Sequence, residues 1–443
     1  MAGTCSIPVV FAALAGPGNQ PLSLFDNSFA AITTYVNARE VTVGTLAARP
    51  APGVSGRWYF STDAGGQLAV DTGIAWQTVA QASLAGISVE NFGAVGDGVH
   101  DDTAAIQAAV NAAQAQPVRF GSKNYKVTAA IMLPAAAVLI GQSHFASRIF
   151  AGAGGFNIFQ MIAGSAPMAG PLIRDLWLDG AGQANVQGVN LNGNTSAQRI
   201  SQARIQDCQL TNLVVGITLT QCTNTYLDSL YLGSCFIGVD VETSGDNNFS
   251  NIEVQNGGDV AFKFNGPNSP LSEGHRVIGC SSNGQGEAMS ITGCDWGIVE
   301  GCSWTSCPDG NVIGMANAHH WRFTGCDIAS ANGFGGLVAD GGCEQVQAVN
   351  CFFSLNTFGV SISAGTRHII ANNNFEAGSN TDIVLSNVQH AVVSGNVCDS
   401  TGTAGSINEL GSANGNAFTG NVCNGTIITV GGASIKTGNI ENY

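Results

Sequence analysis

VIGCSS (277–282), VEGCSW (299–304), FTGCDI (323–328) and AVNCFF (348–353) are four copies of one short pattern, and their period decides the fold. Working outward, earlier copies read IRDLWL (173–178), IQDCQL (205–210), LDSLYL (227–232) and FSNIEV (249–254). Later copies carry Asn: ANNNFE (371–376), SGNVCD (394–399) and TGNVCN (419–424). The anchor position runs Leu176, Cys208, Leu230, Ile252, Cys280, Cys302, Cys326, Cys351, Asn373, Asn396, Asn421, at intervals of 22–32 residues. A helical repeat would place apolar residues at i, i+3 and i+4 over ten or more positions. This pattern alternates over about five and breaks at Gly or Asn, as short strands do.

A second alternating stretch falls midway in each coil: GVNLN (188–192), GITLT (216–220), GVDVE (238–242), AFKFN (261–265) and GVSIS (359–363). Alternation turns Val239 and Val241 inward and Asp240 and Glu242 outward. Coils of this kind pair in parallel about 4.8 Å apart, like residue on like. The expected fold is therefore all-β, a right-handed single-stranded parallel β-helix over 166–443. Cys208, Cys280, Cys302, Cys326 and Cys351 then form an interior column of free thiols, because stacked parallel side chains give a poor disulfide dihedral. Asn373, Asn396 and Asn421 form a stacked amide ladder.

The composition suits such a fold: 59 Gly and only 10% charged residues in 443. A net charge of −15 argues against a nucleic-acid partner, whose phosphates need Lys and Arg. No apolar run reaches 18 residues, so no membrane span is expected. Val9 to Leu14 has no Lys or Arg before it and meets Gly16-Pro17, which reads as mature protein rather than a signal peptide. With about 20 residues after the last anchor, no separate C-terminal domain is expected.

Ahead of the coils, ENFGAVGDGVHDDTAAIQAAVNAA (90–113) offers Asp101 or Asp102 as an N-cap and Ile106, Ala109, Val110 and Ala113 as one apolar stripe. Such a helix would cover the open end of the solenoid, so 86–165 reads as cap and first coils. The stretch FGAVGDGVHDDTAAIQ resembles the opening motif of the pectate-lyase-like superfamily of parallel β-helix proteins. That resemblance implies the fold and leaves the reaction open among hydrolases, lyases, epimerases and adhesins. The usual strand and Pro-Gly-Thr-Tyr continuation is present only as VRFGSKNYKV (118–127). PLSLFDNSFAAI (21–32) resembles N-terminal segments of bacteriophage tail proteins. GRWYFSTDAGGQLAVDTGIAWQTV (56–79) is similar to the small β module of many phage fibres and spikes, and its turns at 63–66 and 71–73 suit hairpins. These resemblances imply a virion-attachment segment (1–50), a β module (51–85) and a phage tailspike or fibre. Such a protein joins the tail or baseplate by its N-terminus, as a homotrimer, and engages bacterial surface polysaccharide. It would be made in the host cytoplasm and act at the cell surface.

Familiar metal, phosphate and Ser-hydrolase motifs are absent, and no cofactor is expected. His319 and His320 are adjacent and face opposite ways on a strand, so they do not share a metal. The superfamily's Asn-Thr-Asp, Asp-Asp and Gly-His-Gly hydrolase set is missing: Gly274-His275 is followed by Arg276. From residue 172 onward there are 8 Lys/Arg against 22 Asp/Glu. Without bound Ca²⁺ a polyuronate would be repelled, whereas glycoside hydrolysis needs paired carboxylates about 5–9.5 Å apart.

Two coils carry extra residues after the second strand, around 192–201 and 266–275. Leaving at one corner about 14 Å apart, they would wall a cleft floored by 216–220 and 238–242. Asp240 and Glu242, roughly 6.6 Å apart along one strand, are the candidate acid and base or nucleophile, with Glu273 or His275 overhanging. Thr218, Thr220, Lys263, His275 and Trp296 are the candidate substrate contacts. Trp177, Trp304 and Trp321, like Trp296, either offer further surfaces for sugar rings or lie partly buried between coils. Asp295, Asp327 and Asp340 form an alternative acidic strip. The plain alternative is a solvated acidic edge paired to Lys263, in a fibre that binds without cleaving. A secreted polysaccharide lyase is disfavoured by the phage-like N-terminus.

Overall fold

The computed structural model describes residues 41–61, 67–81, 86–114, 116–266, 272–305, 307, 310–329, 334–399 and 405–442. The chain divides into two units, 1–87 and 88–443.

In the first unit, Val41–Gly44 lies parallel to Trp58–Ser61, which pairs antiparallel with Gln67–Asp71, itself antiparallel to Trp76–Gln81. The turn after Asp71 is held by that buried carboxylate. It accepts from the backbone N–H of Gly53, Val54 and Gly73 and ion-pairs with Arg57 at 2.8 Å. The antiparallel pairings expected on either side of both turns are present, while the turn at 63–66 itself lies outside the described residues. The sheet, however, takes in a strand before residue 51, because Val41–Gly44 forms a ladder with Trp58–Ser61. The phage-like stretch 21–32 lies outside the described residues.

The second unit is the solenoid. Each coil contributes two strands to a 28-stranded sheet and one to a 13-stranded sheet, all in parallel register. The anchor spacings read from the sequence are the registers observed: Ile173 pairs with Ile205, Leu227 with Phe249, Phe249 with Val277, and Phe323 with Ala348. The repeat's composition has a local cause. The residue before each anchor is left-handed, with φ between 50° and 65° from Asp175, Asp207 and Asn251 through Gly279, Gly301 and Gly325 to Asn372 and Gly420. It bends the chain between the coil's first two strands. Gly, Asn and Asp tolerate that conformation far better than branched residues.

The anchors themselves turn inward. Cys208, Cys280, Cys302, Cys326 and Cys351 are each at most 2% exposed and remain free thiols, as do the other described cysteines. From Cys351 onward the column becomes an amide ladder. Asn373, Asn396 and Asn421 each accept the backbone N–H of the preceding anchor (2.9, 3.0 and 3.0 Å), and Asn439 continues the series. Their Nδ2 atoms donate to the next Asn and to a carbonyl one coil back, so the amides of the ladder are all paired.

The helix Thr103–Ala112 buries Ile106, Ala109 and Val110, and Ala113 follows them inward. Asp102 holds the N-cap position but does not cap with its side chain: it turns into the core and accepts from Val95 and Gly96 N–H. Asp101 takes the Thr103 N–H instead, at 3.0 Å.

Candidate functional site

The outer face of the 13-stranded sheet positions the acids. Val239 and Val241 are buried at 1% exposure or less, which fixes the parity of Ile237–Glu242 and leaves Asp240 and Glu242 outside. Register then sets Thr218, Asp240 and Lys263 in one row and Thr220, Glu242 and Asn265 in the next. Lys263 Nζ stands 3.3 Å from Asp240 Oδ1 and 3.2 Å from Glu242 Oε1. One ammonium within reach of both holds these oxygens no more than ~6.5 Å apart, within the spread of glycosidase carboxylate pairs. Asn265 Nδ2 donates to Glu242 Oε2 at 2.9 Å, and Thr218 Oγ1 donates to Gln187 Oε1 at 3.3 Å.

These groups are half-buried, and burial shapes their titration. Desolvation first, then the charge of Asp240, pushes the Glu242 carboxyl above its ordinary value, against the pull of Lys263 and Asn265. For Lys263, burial works against the charged form, yet the two carboxylates outweigh it and hold the ammonium above its ordinary value. The cluster thus pairs a carboxyl biased towards its protonated form with a second carboxylate and a fixed cation, the elements of proton donation to a glycosidic oxygen.

Asn192 pairs with Thr220, and Ser201 with Thr223, so the long stretch 192–201 leaves at the corner beyond the Glu242 row. Asn265 pairs with Glu242, while Glu273 bridges Asp295 in the column entered from that corner. Both long connections therefore do leave at one corner; within the second, 267–271 lie outside the described residues. A further long connection, 162–169, leaves at the same corner one coil earlier. Sequence reading missed it because the strand Asn157–Ile162 precedes the regular repeat.

Glu273 is exposed in a separate column, with Asp295 beside it and His319 next, whose Nδ1 lies 2.8 Å from Asp295 Oδ1. His275 does not overhang the cleft. It is fully buried against Phe249 and Phe264, and burial pushes its imidazole down to about 4. The left-handed Gly274 ahead of it turns the chain, so the imidazole falls in the inward column rather than on the loop. Trp296 is 56% exposed and lies flat on His320, centroids 3.8 Å apart. His319 and His320 thus serve different partners, and no group of three metal-ligating side chains occurs among the described residues.

Trp304 and Trp321 are not sugar platforms. Both are fully buried, packed edge-on or tilted against Phe262 and Phe264 at 5.6 Å, because register places them in inward columns. Trp177 is half-buried beneath the Arg148 guanidinium and donates to Thr211 Oγ1. The alternative strip also dissolves. Asp327 lies in the 28-stranded sheet, Asp340 ends a strand of the 13-stranded sheet, and Asp295 sits at the corner between strands.

Sequence reading did not single out Gln160, Asn190 or Asn265, although the alternation that exposed Asp240 gives each an outward place, nor Gln187, which shares the parity of the inward Val189 and Leu191.

The model of right-handed β-helix regions matches residues 287–440, and no curated protein matches the chain. Among solved structures, the A-module of the Azotobacter vinelandii mannuronan C-5 epimerase AlgE4 superposes with a TM-score of 0.58 at 17% identity, over 79% of this chain and 99% of that one. Tailspike protein 3 of bacteriophage CBA120 gives 0.56 at 13%, over 83% of this chain and 63% of that one. The pre-mature gene product 12 of bacteriophage phi29 gives 0.51 at 13%, over 80% and 52%. At these identities the likeness is one of fold. The rhamnogalacturonase A/epimerase, pectate-lyase-like family model matches residues 86–313, from the capping segment through the acid-bearing coils and over more than half of the chain, so the protein belongs to that family.

Proposed function

We propose that this protein is a phage tailspike that binds a bacterial capsule or lipopolysaccharide glycan and cleaves it by glycoside hydrolysis. Asp240 and Glu242 are the paired carboxylates, Lys263 and the Thr218 and Thr220 hydroxyls hold substrate, and Glu273 and Trp296 flank the corner. The observation that carries the reading is the Asp240–Lys263–Glu242 cluster, half-buried on the floor beside the long corner connections. The protein joins the tail or baseplate through its N-terminal region, as a homotrimer, and works at the bacterial surface. The phage-like N-terminal stretches and the fold shared with two phage proteins support this setting.

The test incubates purified protein with capsule and lipopolysaccharide of candidate hosts and follows reducing ends and ultraviolet-absorbing unsaturated products together. Reducing ends without unsaturation are expected, falling roughly 10²–10⁴-fold in Asp240→Asn and Glu242→Gln. Unsaturated product would replace hydrolysis with elimination, and full activity in both variants would move the site. One observation favours a second reading, a fibre that binds without cleaving: Lys263 ties up both carboxylates at once. Tight binding with no product would establish it.

A further inference from the structure

On the coils before the acids, the same outer face changes chemistry. The row that holds Asp240 and Lys263 continues backwards through Thr218 and Asn190 to Gln160. A cavity of about 310 Å³ opens there, lined by Ala130, Gly155, Phe156 and four amide residues, Asn157, Gln160, Asn185 and Gln187, with no charged side chain. The Asn157, Gln160 and Asn185 side chains bond to nothing among the described residues, so their donors and acceptors are available. One strand along the same row, Asn190 Oδ1 is buried without a partner. An uncharged cavity combining an aromatic surface with several two-way amide groups matches a neutral, hydroxyl-bearing ring with one apolar face.

We propose that this cavity is a subsite for an uncharged sugar residue of the same glycan that reaches Asp240 and Glu242. The inference rests on the glycan-binding reading of this sheet and adds to it the substrate class and the length of glycan engaged. Gln187 and Gln160 lie two and three strands from the Asp240 strand, a strand separation of about 10 and 14 Å. A ligand touching both sites is longer than one ring, so the glycan fills more than one sugar position on that side of the acids. The absence of a cation from the cavity disfavours a uronate or sulfated residue there.

The experiment uses the full chain and surface polysaccharide of candidate hosts, separated on anion-exchange resin into neutral and anionic fractions. Binding is measured by calorimetry for the native protein, for Asn157→Ala/Gln160→Ala and for Asp240→Asn. The two side chains bond to nothing among the described residues, so the double variant should melt as the native protein does. Expected are preference for the neutral fraction, at least tenfold weaker binding in the double variant, and retained binding in Asp240→Asn. Where cleavage occurs, KM should rise in the double variant with kcat unchanged. Equal affinity in the double variant, or preference for the anionic fraction, overturns the cavity assignment and leaves the acid cluster standing. Failure of the native protein to bind either fraction overturns both.

Discussion

Asn396→Ala should locally unfasten the amide ladder, and the structure fixes how much is lost. Asn396 is fully buried, and its Oδ1 accepts both Asn373 N–H at 3.0 Å and Asn373 Nδ2 at 3.1 Å. Its own Nδ2 donates to Ile370 O and Asn421 Oδ1, each at 2.9 Å. Truncation deprives two buried N–H groups of Asn373 of this acceptor, at about 1–3 kcal/mol each, or roughly 2–6 kcal/mol for that coil. Since 1.4 kcal/mol is about a factor of ten, protection against amide exchange should fall at least roughly 30-fold. Native-state hydrogen exchange on peptides covering 369–376 and 392–398 reads this directly, with 157–192 as a distant control. Stacked coils interact mainly with their neighbours, so the control should not change. Protection within threefold of the native value at 369–376, or an equal loss at 157–192, would refute the reasoning.

Three other perturbations test separate parts of the structure. In Lys263→Met the cation that holds Glu242 down is gone, so its carboxyl should titrate higher still. The alkaline limb of the pH–rate profile should move up, and a limb that stays in place would detach Glu242 from the proton-donor role. His275 and His368 have imidazoles pushed down to about 4 by burial, from an ordinary 6.5. The unfolded chain binds their protons first, so stability is full above about 6.5 and falls as pH drops towards 4, by up to about 3 kcal/mol each. Denaturant unfolding at pH 7 and pH 4 measures the loss, which should shrink in His275→Phe; an undiminished loss would exonerate His275. The described thiols are buried, with burial pushing Cys208, Cys222 and Cys235 up to about 12, so they should resist Ellman's reagent until the chain unfolds. Rapid reaction of several thiols in the native protein would contradict the interior column.

The coil architecture was legible because a parallel solenoid writes each layer as a local repeat: Cys280, Cys302 and Cys326 recur at the pitch of the structure itself. Two-residue alternation settled that Asp240 and Glu242 face out, and like-on-like stacking settled the Asn ladder. What periodicity does not carry is where a side chain goes at a corner, since one left-handed residue there redirects the chain. His275 looked like part of an overhanging loop and is interior; the tryptophans could equally stack on sugars or lie between coils, and Trp304 and Trp321 are core while Trp296 stands in solvent on His320. Lys263 joins both carboxylates only because a neighbouring coil brings its ammonium between them, 21 residues along the chain from Glu242. The amide cavity, too, arises from packing between coils, where separate stretches supply Phe156, Gln160 and Gln187. Sequence alone determined the repeating interior, because each coil states its own inward and outward residues. Tertiary structure decided the surface chemistry, because that depends on which outward residues the register sets side by side.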